Sequence, residues 1–130
     1  MVWSCLVSIL PGMAQTEKLT DYVNPFVGTD GYGNVYPGAQ IPFGGIQISP
    51  DTDSRFYDAA SGYKYNHLTL MGFSLTHLSG TGIGDLQDIR LLPVTTRPQV
   101  GEKAIDFITK GYAKFSHANE TAEPGYYSVT

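Results

Sequence analysis

Gly72-Phe73-Ser74-Leu75-Thr76-His77-Leu78-Ser79-Gly80-Thr81-Gly82-Ile83-Gly84-Asp85 packs four glycines, one histidine and one aspartate into fourteen residues, and the apolar run Ile89 to Val94 follows closely. So many glycines suit neither a helix nor an ordinary strand. The stretch reads as a tight loop whose backbone comes close to something, held at the end of a rigid strand. Proteins often place binding groups on such loops.

The flanking sequence carries short extended runs. Ile41 to Ser49 reads as a strand, with Ile46 and Ile48 on one face and a bulge at Gly44-Gly45. Ser61 to Tyr65 reads as a second, Tyr63 and Tyr65 facing one way, and Leu68 to Phe73 as a third. Asp88 to Val94 is a strand closed by proline. Ile105 to Ile108 fits a strand or a helical turn. Lys114 to His117 begins another strand, and Tyr126 to Val129 the last, running up to Thr130. Asp30 to Asn34 and Tyr36 to Ala39 are turn chemistry. No repeat, heptad or long amphipathic helix interrupts this pattern. Many short strands with turn signals predict an all-β fold, an antiparallel β-sandwich.

Composition agrees. Hydrophobic residues make up 42% and charged residues 15% of the 130, a folded balance for one domain. The net charge of −4, with the eight Lys and Arg scattered, argues against a nucleic-acid partner. The single cysteine, Cys5, allows neither an internal disulfide nor a cysteine zinc site. His67 and His117 lack metal-ligand spacing and read as hydrogen-bonded loop histidines.

Residues 1–15 stand apart. Val2 to Leu10 is apolar and uncharged, and Gly12-Met13-Ala14 offers small residues at a cleavage site. This resembles a signal peptide without its charged start, and predicts export to a periplasm or the outside. The segment is too short to span a bilayer.

Several motifs recur in one family's order: Asn24-Pro25-Phe26-Val27-Gly28-Thr29, Tyr36-Pro37-Gly38-Ala39, Pro42 to Thr52 (PFGGIQISPDT), Ser61-Gly62-Tyr63-Lys64-Tyr65, the glycine-rich loop, and Phe115 to Glu120 with Ala122 to Tyr127. Together they resemble the N-terminal domain of glycoside hydrolase family 92, calcium-dependent exo-acting α-mannosidases. The resemblance implies that residues 20–130 form a β-sandwich which packs against a larger helical barrel, with the active site in the cleft between them. It implies inverting hydrolysis of a terminal α-mannoside, α-1,2-linked, in which one carboxylic acid protonates the leaving oxygen and one carboxylate activates water. The barrel would hold both, and the calcium. The chain ends before such a barrel, so the resemblance implies a fragment that is inactive alone.

Asp51, Asp53, Asp58, Asp85, Asp88, Glu120 and Glu123 are present, but the family's acid and base lie elsewhere, and no catalytic or metal residue is assigned here. What a sandwich can supply is a wall of the cleft. Sugars are held by aromatic faces and planar polar groups. Tyr57 and Asp58 offer both, Tyr57 standing where relatives resembling this chain carry Trp. His77, Ser79 and Gly80 form the second substrate-binding candidate; the alternative for His77 is a loop histidine satisfying buried backbone groups. Leu75 and Asn34 stand where the family pattern has histidines, which fits either a changed subsite or a relaxed fragment. Glu120 and His117 read as structural, and Asp85 as a turn cap or a hydrogen bonder at a domain interface. A free-standing binding module for mannose-rich glycans is the competing reading.

Overall fold

The computed structural model describes residues 17–41, 43–52, 59–84, 88–95 and 113–130. These residues form seven short strands: β1 (Ser49–Asp51), β2 (Thr69–Leu70), β3 (Gly72–Ser74), β4 (Arg90–Leu91), β5 (Ala113–Lys114), β6 (Glu120–Glu123) and β7 (Tyr126–Val129). All pairings are antiparallel. One sheet runs β1-β3-β4, and β2-β5 and β6-β7 form two-stranded sheets. Leu19–Tyr22 and His117–Asn119 are single 3₁₀ turns, and the described residues contain no α-helix. The expected all-β, antiparallel class is the observed one. No helix among the described residues is long and apolar enough to cross a membrane.

The central sheet is ordered by its register. Ser49 pairs with Ser74, Pro50 with Phe73, and Asp51 with Gly72. Pro50 has no N–H to give a ladder, and β1 tolerates it because β1 is an edge strand. β2 and β3 belong to different sheets although only Met71 separates them. The switch is made at Gly72, whose φ of +140° and crowded surroundings exclude a side chain: an added Cβ would stand 2.8 Å from Arg90 Cγ and 2.9 Å from the Leu91 carbonyl oxygen.

The interior is largely polar. Ala59, Ala60, Tyr63, Leu70 and Met71 are its buried apolar members. Thr29, Ser49, Asp51, Thr52, Ser61, Lys64, Ser74 and His77 are buried beside them. Hydrogen bonds make this tolerable. Thr52 N–H donates to the Gly62 carbonyl at 2.8 Å, Lys64 N–H donates to Thr52 Oγ1 at 2.9 Å, and Lys64 Nζ donates to the Gly31 carbonyl at 2.6 Å.

Several sequence expectations are corrected. The strand predicted over Ile41 to Ser49 starts only at Ser49, because Gly44 N–H closes a turn onto the Ile41 carbonyl at 3.0 Å and Phe43 takes a φ of +61°. Ile46 and Ile48, expected on one strand face, lie outside any strand and are exposed. Ser61 to Tyr65 is not a strand: a turn over residues 59–62 enters it, where Gly62 N–H donates to the Ala59 carbonyl at 2.9 Å and φ at Gly62 is +86°. Tyr36 to Ala39 is irregular backbone with Pro37 buried, not a turn. The predicted strand from Asp88 shortens to β4, and the one from Lys114 gives way to the 3₁₀ turn at His117. Tyr126 to Val129 is a strand as read, joined to β6 through Pro124-Gly125. The leader and Ile105 to Ile108 lie outside the described residues.

Candidate functional site

The glycine-rich loop leaves the end of β3 and is fastened from several directions. Gln47 N–H donates to the Leu75 carbonyl at 3.0 Å. Gly80 N–H donates to the Asn34 carbonyl at 2.6 Å, and the Ser61 hydroxyl donates to that same oxygen. Thr81 Oγ1 accepts from Ile83 N–H at 3.2 Å and donates to the Ile83 carbonyl at 2.9 Å. Thr76 Oγ1 reaches Asp88 Oδ2 at 3.4 Å.

His77 is the loop's inward anchor. Its side chain and that of Asp51 are both wholly enclosed. His77 Nδ1 lies 2.8 Å from the Ser61 carbonyl oxygen, which only accepts, so Nδ1 carries a hydrogen. His77 Nε2 lies 2.9 Å from Ser74 Oγ and 3.7 Å from Asp51 Oδ1. The Tyr36 ring covers the imidazole at 5.0 Å.

The strand register assembles these groups. Side chains alternate along β1, so Ser49 and Asp51 share a face, and Ser74 pairs with both Ser49 and Arg90. Arg90 Nε donates to Asp51 Oδ2 at 3.1 Å. Burial pushes the Asp51 carboxyl above the usual aspartate value; His77, Ser74 and Arg90 pull against that and do not cancel it.

A second polar centre closes the hairpin. The Glu120 carboxylate is 1% exposed. It accepts from Tyr63 Oη at 2.9 and 3.1 Å and from the Tyr127 hydroxyl, and meets His117 Nδ1 at 2.5 Å. The His117 ring stacks on Tyr65 at 4.1 Å and stands edge-on to Phe115.

Of the predicted site residues, Ser79 and Gly80 are exposed on the loop, while the His77 ring faces into the domain. Tyr57 and Asp58 lie outside the described residues, as do Asp53 and Asp85. Ser74 was not legible in the sequence as a partner of His77, nor Arg90 as a partner of Asp51, nor Tyr127 as a partner of Glu120, because only pairing brings them together. Among the described residues no three His, Cys, Asp or Glu side chains converge as a metal site. The two buried carboxylates face N–H and O–H donors, whereas calcium requires six to eight oxygen ligands.

The family model for the glycosyl hydrolase family 92 N-terminal domain matches residues 22–130. The family GH92 α-mannosidase BT3965 from Bacteroides thetaiotaomicron, solved in complex with mannoimidazole, is 71% identical over 87% of this chain, with a TM-score of 0.76. A second structure of that enzyme gives the same values. The GH92 family glycosyl hydrolase ccman5 is 33% identical over 85% of this chain, with a TM-score of 0.67. The chain spans 15% of the first relative and 14% of the second. No curated protein matches.

Proposed function

The chain belongs to glycosyl hydrolase family 92, as its N-terminal domain, and from that premise we propose that it forms the non-catalytic wall of a mannoside cleft in an exported, exo-acting α-mannosidase. The observation that carries this is the 71% identity, over 87% of the chain, to an α-mannosidase whose structure holds mannoimidazole.

The reaction proposed is inverting hydrolysis of a terminal α-1,2-linked mannose on a glycan. It needs a protonated carboxylic acid at the leaving oxygen and a carboxylate at the attacking water. Asp51 and Glu120 are poor candidates for either role, being closed off from solvent and engaged with the chain's own donors. As the family resemblance implies, the acid and base are assigned to a helical barrel outside these 130 residues. Calcium is expected of the family, but the donor sets around these two carboxylates do not fit it, so its ligands are placed in that barrel too.

On the wall itself, Tyr57, Asp58, Ser79 and Gly80 are the residues proposed to meet the sugar. His77 acts through the loop whose backbone it holds. The apolar leader at Val2 to Leu10 supports export.

The test is a graft. Residues 22–130 replace the matching segment of the Bacteroides relative, and hydrolysis of an aryl α-mannoside is measured. The graft is expected to turn over, with KM raised by Tyr57→Ala, and the 130-residue chain alone to show no hydrolysis. An inactive but folded graft, or turnover by the 130 residues unaided, overturns the proposal. Calorimetric mannoside binding by the chain alone would favour the binding-module reading instead.

A further inference from the structure

Ser74 stands between two groups that cannot both be satisfied by the same hydrogen. Its hydroxyl is 2.9 Å from His77 Nε2, and it also acts on the Asp51 carboxyl. Because Nδ1 of His77 already carries a hydrogen for the Ser61 carbonyl, Nε2 of the neutral ring can only accept, and the Ser74 hydrogen goes to it. Asp51 Oδ1 is then a buried carboxylate oxygen with no hydrogen-bond donor. A charged ring reverses the direction: Nε2–H donates to Ser74 Oγ, and the freed Ser74 hydrogen can turn to Asp51 Oδ1.

With the charged ring one hydroxyl thus couples the loop histidine to the edge strand β1. The other Asp51 oxygen is held by Arg90 of β4, so the chain Arg90–Asp51–Ser74–His77 crosses the sheet from β4 to β1 and returns to the loop. Among the described residues, the charged or titratable groups at this network include Asp51 from β1, Arg90 from β4 and His77 from the loop, with Tyr36 covering the ring. Space around it is closed by Gly62, where an added Cβ would stand 2.5 Å from Asp51 Oδ1 and 2.8 Å from His77 Cε1.

We propose that Ser74 and Asp51 are positioning residues for the sugar-facing loop, acting through His77 to hold residues 77–84 in the shape that meets the substrate. This rests on the cleft-wall reading above and extends it to residues that touch no sugar. An enclosed network that ends on the first inward residue of an otherwise exposed loop transmits its geometry to that loop, and small misplacements of positioning groups are costly.

Two measurements separate this inference from the reading it rests on. In the graft, Ser74→Ala is expected to raise KM for the aryl α-mannoside by about tenfold with kcat nearly unchanged, and Ser74→Thr to restore it. In the full 130-residue chain, hydrogen exchange at the Gly80 amide is expected to quicken by at least about tenfold in Ser74→Ala and in Asp51→Asn, while amides in β6 and β7 keep their protection. The exchange result reads the relay whether or not the chain serves a mannosidase. Unchanged exchange at Gly80 overturns the inference, as does equal loosening of the β6-β7 hairpin, which would mean a folding role only. An active graft whose KM ignores Ser74→Ala overturns it as well, leaving the cleft-wall reading intact.

Discussion

Tyr63 donates its hydroxyl to both oxygens of the Glu120 carboxylate, at 2.9 and 3.1 Å, from 57 residues earlier in the chain. Tyr127 and His117 complete the set around that carboxylate. The β6-β7 hairpin is thereby tied to Tyr63, just after the turn at residues 59–62, by a buried polar lock.

Removing one donor from this lock leaves a buried charge short of a partner. Tyr63→Phe is expected to destabilise the chain by about 1–3 kcal/mol. Glu120→Gln should cost a similar amount, and the double variant should cost less than the sum because the two residues share one interaction. Urea denaturation of the four chains measures the coupling, and strict additivity would refute the lock.

Alkaline behaviour follows from the same centre. Burial, then the nearby Glu120 charge, pushes the Tyr63 hydroxyl well above the ordinary tyrosine value of 10.0; burial, then its bond to Glu120, does the same at Tyr127. A proton held more tightly in the fold stabilises it below that ordinary value, and the contribution fades as pH rises above it. Tyrosinate absorbance from these two residues should therefore appear only together with unfolding. Ionisation of both in a chain that keeps its far-ultraviolet signal would contradict the geometry.

Asp51 works in the opposite pH range. Its carboxyl is raised above the ordinary value of 3.8, chiefly by burial. The favourable contribution is complete below that value and is lost as pH rises through the higher, folded one. The native chain should thus gain stability relative to Asp51→Asn as pH falls from neutral to about 3. Denaturant midpoints at the two ends report the sign.

Gly62 gives a steric prediction with its own control. With φ at +86° and an added Cβ 2.5 Å from Asp51 Oδ1, Gly62→Ala should cost roughly 2 kcal/mol or more. Gly31 also has positive φ but nothing within 4 Å, so Gly31→Ala should cost only about 1 kcal/mol. Equal losses on thermal melting would show that crowding at Asp51 and His77 is unimportant.

The polar interior leaves apolar side chains outside. Phe43 is fully exposed, and Ile41 and Ile46 are 66% and 59% exposed. Exposed apolar groups this close in sequence favour self-association. Sedimentation of the 130-residue chain should show oligomers that Phe43→Ser and Ile46→Ser reduce.

Chain-local chemistry was readable in advance. Turn residues and short extended runs announced an all-β domain, the motif order announced the family, and Tyr126 to Val129 is a strand as read. Ile46 and Ile48 misled for an instructive reason: alternation shows which residues could share a face, but a turn at Gly44 and a single bond from Gln47 to Leu75 replaced the ladder that would have buried them.

The inward turn of His77, the seat of Asp51 beneath Arg90, and the meeting of Tyr63 with Glu120 have no signature in the order of residues. Each depends on which strand lies beside which and in what register, and a shift of one residue would turn Ser74 and Asp51 to the opposite face. Local propensity acts over a few neighbouring residues. The polar centres of this domain join groups separated by up to 57, so folding alone brought them within hydrogen-bonding distance.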